Sequence, residues 1–134
     1  MPIFPRLPGR TRRTSAANAA MTVSTEAPSR GVRSYLVAVY IAYSAVVTLQ
    51  ATVTLNSGIA ADYDTRLSTL PFVGDRWGWW VPENPIPLGR NDTIDVLAPA
   101  GGAGVTSAVQ ILTDEDVPAR DEGGGWDYEQ VSRE

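Results

Sequence analysis

The side chains of this chain best equipped to hold another molecule are its four tryptophans, five tyrosines and eleven arginines; histidine, cysteine and lysine are absent. The densest aromatic group is Trp77-Gly78-Trp79-Trp80. In extended backbone, successive side chains point to opposite faces, so Trp77 and Trp79 share one face and Trp80 takes the other. A tryptophan platform facing solvent stacks sugar rings or fills a partner's pocket, whereas a tryptophan turned inward fills a core or caps a sheet edge. The sequence leaves both open for this cluster, with Trp80 a candidate partner contact. Trp126 and Tyr128 stand in an acidic tail loosened by Gly123-Gly124-Gly125. Aromatic anchors in such a segment are what a short docking peptide requires.

Catalysis has fewer supports. Without histidine and cysteine, the usual zinc sites, disulfides, thiol chemistry and the commonest general base near neutral pH are excluded. Without lysine there is no Schiff base. Serines and threonines abound, but no base stands ready to activate them. The acid groups Asp62 with Asp64, Asp92 with Asp95, and Asp114-Glu115-Asp116 lack the spacing of a calcium loop and read as turn residues. No carboxylate pair is singled out for acid–base work. The expectation is a protein that is not an enzyme and carries no metal or cofactor.

Charge is distributed unevenly. Residues 1–33 hold six arginines and one acid, net +5; residues 34–113 are net −3; residues 114–134 hold eight acids and two arginines, net −6; the chain totals −4. This predicts three parts: an extended basic arm over 1–33, a body over 34–113 and an acidic docking tail over 114–134. Arg6, Arg10, Arg12 and Arg13 are the arm's candidate partner contacts, as a clamp across a neighbouring subunit. Opposite ends suggest that the arm of one copy meets the tail of the next. Nucleic acid is disfavoured, because the arm has no aromatics between its arginines and the pI is about 4.7. Residues 1–30 share the arginine, serine and alanine bias of transit peptides, but Pro2, Pro5 and Pro8 oppose an amphipathic helix; no early apolar run suits a secretory signal.

Tyr35–Leu55 carries no charge and has the length of a transmembrane helix. Its fine pattern is different. Thr48, Gln50, Thr52 and Thr54 alternate with Leu49, Ala51, Val53 and Leu55, and Val37, Val39, Ile41 and Tyr43 share one face upstream. Period two, with valine, threonine and tyrosine dominant, predicts two strands with a bend near Ser44–Val47. Further strands are predicted over Tyr63–Leu70, Arg76–Val81, Thr93–Ala98 (with Ile94, Val96 and Ala98 on one face) and Val105–Thr113 (with Val109 and Ile111 inward). Asn56-Ser57-Gly58, Pro71, Gly74, the prolines at 82, 85 and 87, and Pro99–Gly104 punctuate them. The fold class is all-β: a small antiparallel β-sandwich, jelly-roll-like, with an extended arm and tail.

The stretches from Leu55-Asn56-Ser57-Gly58 to Leu67, Pro87-Leu88-Gly89 to Ile94, and Ala98–Gly104 with Ser107-Ala108-Val109 resemble small β-rich capsid decoration (cement) proteins of tailed bacteriophages. The resemblance spans about 60 residues of the body and leaves both ends unmatched. It implies a β-sandwich, often trimeric, on the outer capsid surface of a virion, bridging neighbouring copies of a major capsid protein without catalysis. A neck or tail position is the variant suggested by the charged extensions. The alternatives are a carbohydrate- or receptor-binding module using Trp77–Trp80, which requires exposed tryptophans, and a small membrane protein anchored through 35–55.

Overall fold

The computed structural model describes residues 6–28 and 32–116, and for 6–8 the backbone only. Seven strands account for most of them: β1 (Arg6–Thr14), β2 (Met21–Ser24), β3 (Arg33–Asn56), β4 (Thr65–Trp80), β5 (Ile86–Leu88), β6 (Thr93–Ala98) and β7 (Ser107–Asp116), with one 3-10 turn at Ala61–Tyr63. All pairings are antiparallel, in the order β1-β7-β3-β6-β2, and β4 and β5 pair with β3.

One strand organises the molecule. The first half of β3 lies between β7 and the end of β4; its second half lies between β6 and the beginning of β4. Between them the register slips at Ala42–Val47, and the single sheet folds over into two layers, as strands that switch layers do through bulges. Hydrogen bonds pin the bend: the Ser44 N–H donates to the Thr106 carbonyl at 3.0 Å, the Thr106 N–H to Ser44 Oγ at 3.0 Å, and the Arg76 guanidinium to the Ser44 carbonyl at 3.1 Å. The two strands expected from the sequence with a bend at Ser44–Val47 are thus one bent strand. The outer strands of the path, β1 and β2, come into contact, so the folded sheet nearly closes into a barrel.

β4 bends to follow β3. Val73 pairs with Thr48 and Asp75 with Val47, leaving Gly74 as the extra residue, at a φ of 70° that glycine tolerates. The Asp75 carboxylate accepts the Val73 N–H at 3.0 Å. Pro71, which has no N–H to offer, is tolerated because β4 pairs on one side only.

The core lies between the layers. Leu36, Val39 and Ile41 of β3, Phe72 of β4, Ile94 and Val96 of β6, and Val109 and Ile111 of β7 are fully buried. Each such side chain contributes roughly 1.5–3 kcal/mol relative to exposure. The inward faces expected for β6 and β7 hold. In β3 a register shift between Leu36 and Ala38 brings Leu36 inward and leaves Val37 only half-buried, so the expected face begins at Val39.

One expectation holds and another is corrected. The stretch 35–55 is strand, as its alternation predicts, and no helix among the described residues is long and apolar enough to cross a membrane. Residues 6–14 and 21–24, read as an arm outside the body, are strands within the sheet. β1 pairs along its whole length with β7, Arg6 opposite Asp116 and Thr14 opposite Ala108, and β2 buries Met21 and Val23 in the core. Where β1 meets Asp114, Glu115 and Asp116, arm and acid run thus pair within one chain.

Candidate functional site

The aromatic cluster divides as its alternation requires. Trp77 and Trp79 are 71% and 63% exposed, while Trp80 is half-buried and packs against the core. Gly78 shares the inward parity of Trp80. A Cβ there would lie 2.6 Å from the tip of the Phe72 ring, so glycine is what lets the bent strand fold Phe72 beneath the two outward tryptophans. Trp-Gly-Trp is therefore one device: a closely packed floor with two indoles standing outside it.

Cross-strand register builds the rest of the surface. One row runs Arg12, Gln110, Tyr40, Trp79 across β1, β7, β3 and β4; the neighbouring row runs Thr14, Ala108, Ala42, Trp77. Tyr40 is 40% exposed beside Trp79. In the second row two alanines leave a trough between Thr14 and the Trp77 indole. The result is a shallow, open depression of about 670 Å³, predominantly apolar, with Arg12 and Arg13 at one end and Trp77 and Trp79 at the other. Three strand spacings separate the ends, about 14 Å. The guanidinium groups of Arg12 and Arg13 make no hydrogen bond or ion pair with any described residue, whereas that of Arg66 donates to Thr54 Oγ1 at 3.3 Å and that of Arg76 to the Ser44 carbonyl at 3.1 Å.

Of the residues singled out from sequence, Arg12 and Arg13 join the depression; Arg10 lies one row away, beside Val37, Leu112 and Asp114. Arg6 is placed by its backbone in β1, and its side chain lies outside the description. Trp80 is beneath the sheet rather than on the platform. Trp126 and Tyr128 lie outside the described residues. Tyr40 and Gln110 were missed. Their only sequence signal is an ordinary place in alternating strands, and they become site residues because β3 and β7 set them in register with Trp79 and Arg12.

Three of the acidic residues singled out from sequence, Asp64, Asp92 and Asp95, have structural employment. Asp92 accepts the Gly58 N–H at 2.8 Å with one oxygen and the Gly89 N–H at 2.8 Å with the other. Asp64 accepts the Ser57 N–H at 2.8 Å, and Asp95 accepts the Ser24 hydroxyl at 2.7 Å and the Asn56 amide at 3.2 Å. Asp64 and Asp92 thereby tie down the turns at Ser57-Gly58 and Gly89–Asp92, and Asp95 links β6 to β2 and the end of β3. Among the described residues no cluster of three or more carboxylates is placed to hold a metal ion.

No family model matches the chain, and no curated protein does. Among solved structures, FlhE is similar at 10% identity, with 84% of this chain and 98% of that one covered and a TM-score of 0.38. A mutant of the family 29 carbohydrate-binding module CBM29-2, complexed with cellulohexaose, is similar at 15% identity, with 84% and 80% covered and a TM-score of 0.34. Scores this low carry no argument about function.

Proposed function

We propose that this protein is a non-catalytic binding module that holds sugar rings against the face of the sheet bearing Trp77, Trp79 and Tyr40. The observation that carries the reading is the exposure of two indoles and a phenol in adjacent rows, with Gln110, Thr14 and two arginines beside them. Sugar rings present one apolar face and a rim of hydroxyls. Stacking on indole removes the apolar face from water, and the flanking amide, hydroxyl and guanidinium groups take the rim. An open depression suits a chain passing across the surface better than a small molecule needing enclosure. Indole fluorescence on titrating oligosaccharides tests this. Trp79→Ala is expected to weaken binding at least about tenfold while leaving the fold intact. Unchanged affinity in that variant would end the reading.

A second reading uses the same strand. Val73, Trp77 and Trp79 of β4 and Val81 just after it are 75%, 71%, 63% and 55% exposed, on a strand that among the described residues pairs on one side only, and apolar strips of this kind also serve as protein contacts. In that reading the molecule is a cement subunit on the outer capsid surface, trimeric and seated on a major capsid protein. Light scattering separates the two. A stable trimer that Trp77→Ala and Trp79→Ala dissociate would favour the virion role; a monomer whose indoles respond to sugar would favour the module.

A further inference from the structure

The geometry points to an acidic glycan, a uronate-bearing oligosaccharide, as the ligand of this surface, lying across the strands with one ring on Trp79 and a carboxylate at Arg12, the arginine that shares the outward row of that tryptophan. The inference rests on the sugar-binding reading and deepens it. Three observations converge. First, the row Arg12–Gln110–Tyr40–Trp79 sets a cation, an amide, a phenol and an indole in line, so a chain of a few rings crossing the strands meets each in turn. Second, the whole chain is net −4, yet among the described residues no acid lines this depression, whereas two arginines do. An anion is drawn to this end and repelled elsewhere, a local field that selects charge and orientation. Third, the guanidinium groups of Arg12 and Arg13 are uncommitted among the described residues, so their donors need not break internal bonds to receive a carboxylate. A guanidinium takes a carboxylate through two parallel N–H donors, a bond stronger than the neutral hydrogen bonds a hydroxyl rim offers. A single-stranded nucleic acid would also present rings and anions to such a face. The chain's pI of about 4.7 and the confinement of positive charge to one end disfavour a polyanion charged along its whole length.

The test uses the full chain in calorimetric titrations against two sets of hexasaccharides, one neutral (β-glucan, mannan and galactan) and one acidic (polygalacturonate, alginate and hyaluronate), with an oligothymidylate as a third probe. The expected result is that at least one acidic oligomer binds about tenfold tighter than any neutral one, with affinity falling as salt rises from about 0.01 M to about 1 M. The double variant Arg12→Gln, Arg13→Gln should lose that preference and most of the salt dependence while keeping any neutral binding; Trp79→Ala should weaken both. Circular dichroism confirms that each variant folds. Equal or tighter binding of neutral oligomers, or an unchanged double variant, would overturn the acidic-glycan inference while the sugar module stands, and would leave the arginines as guards of an edge strand. Tighter binding of the oligothymidylate than of any sugar would overturn it in favour of nucleic acid. If no sugar in either set binds, both the inference and the module reading fall.

Discussion

At the scale of single residues, two of the buried polar side chains, Tyr43 and Ser107, have opposite histories. Tyr43 is buried, meets Phe72 edge-to-face with centroids 5.4 Å apart, and donates its hydroxyl to the Pro99 carbonyl at 2.7 Å. Burial pushes its phenol from 10.0 up to about 12. The unfolded chain releases that proton near 10 and the folded chain near 12, so the folded state holds the proton more tightly. The stability linked to it is intact below pH 10 and is lost as the pH rises toward 12. Denaturation midpoints measured from pH 9 to pH 12 should fall more steeply in the native chain than in Tyr43→Phe. Ser107 is the contrasting case: its hydroxyl is buried and finds no partner among the described residues. Because the folded state offers that group nothing, Ser107→Ala should be neutral or stabilising by up to about 1 kcal/mol in urea denaturation. Neither role is legible in the sequence, since both depend on which strand lies opposite.

At the scale of elements, β4 shows why two residue types alternate as they do. Tryptophans at 77 and 79 face out, and the glycine between them makes room for Phe72. Gly78→Ala would ordinarily favour a strand. Here the added methyl meets the aromatic ring, and the expected outcome is a loss of about 1–3 kcal/mol, read as a lower thermal midpoint. Phe72→Leu in the same chain should recover part of it. β1 makes the complementary point. It buries little, but it covers the edge of β7, whose Val109 and Ile111 are core residues. Removing residues 6–14 should therefore destabilise the whole body and promote association, as light scattering would report, rather than merely deleting an appendage. That β1 is a strand was hidden by its composition: Pro8, Gly9 and four arginines have little strand preference, and its partner lies about a hundred residues away.

At the scale of the whole molecule, a sheet folded through one bent strand leaves an inner surface filled with aliphatic and aromatic side chains and an outer surface free to carry recognition. The charge split that reads as arm against tail becomes, over residues 6–116, a basic edge strand hydrogen-bonded to a strand ending in acids. Head-to-tail contact between copies through residues 6–14 is therefore not required. The expected outcome in light scattering is that raising the salt leaves the molecular size unchanged, whereas an assembly held by arm-to-tail charge would dissociate.

The sequence by itself determined the all-β class, the bend at Ser44–Val47, the strands β6 and β7 with their inward faces, and the opposition of Trp77 and Trp79 to Trp80. These follow from local rules: alternation has a period of two, and the turns around Gly89 and over Pro99–Gly104 bound β6 and β7, whereas Pro71 and Gly74, expected to separate two strands, lie within the bent strand β4. Only the tertiary structure decided which face of the tryptophan cluster meets water, that residues 6–14 and 21–24 belong to the sheet, and that Tyr40 and Gln110 stand between Trp79 and Arg12. Those facts rest on pairings between distant segments, Arg12 with Gln110 and Tyr40 with Trp79. Such pairings are chosen by the burial of a shared core, which no local pattern encodes.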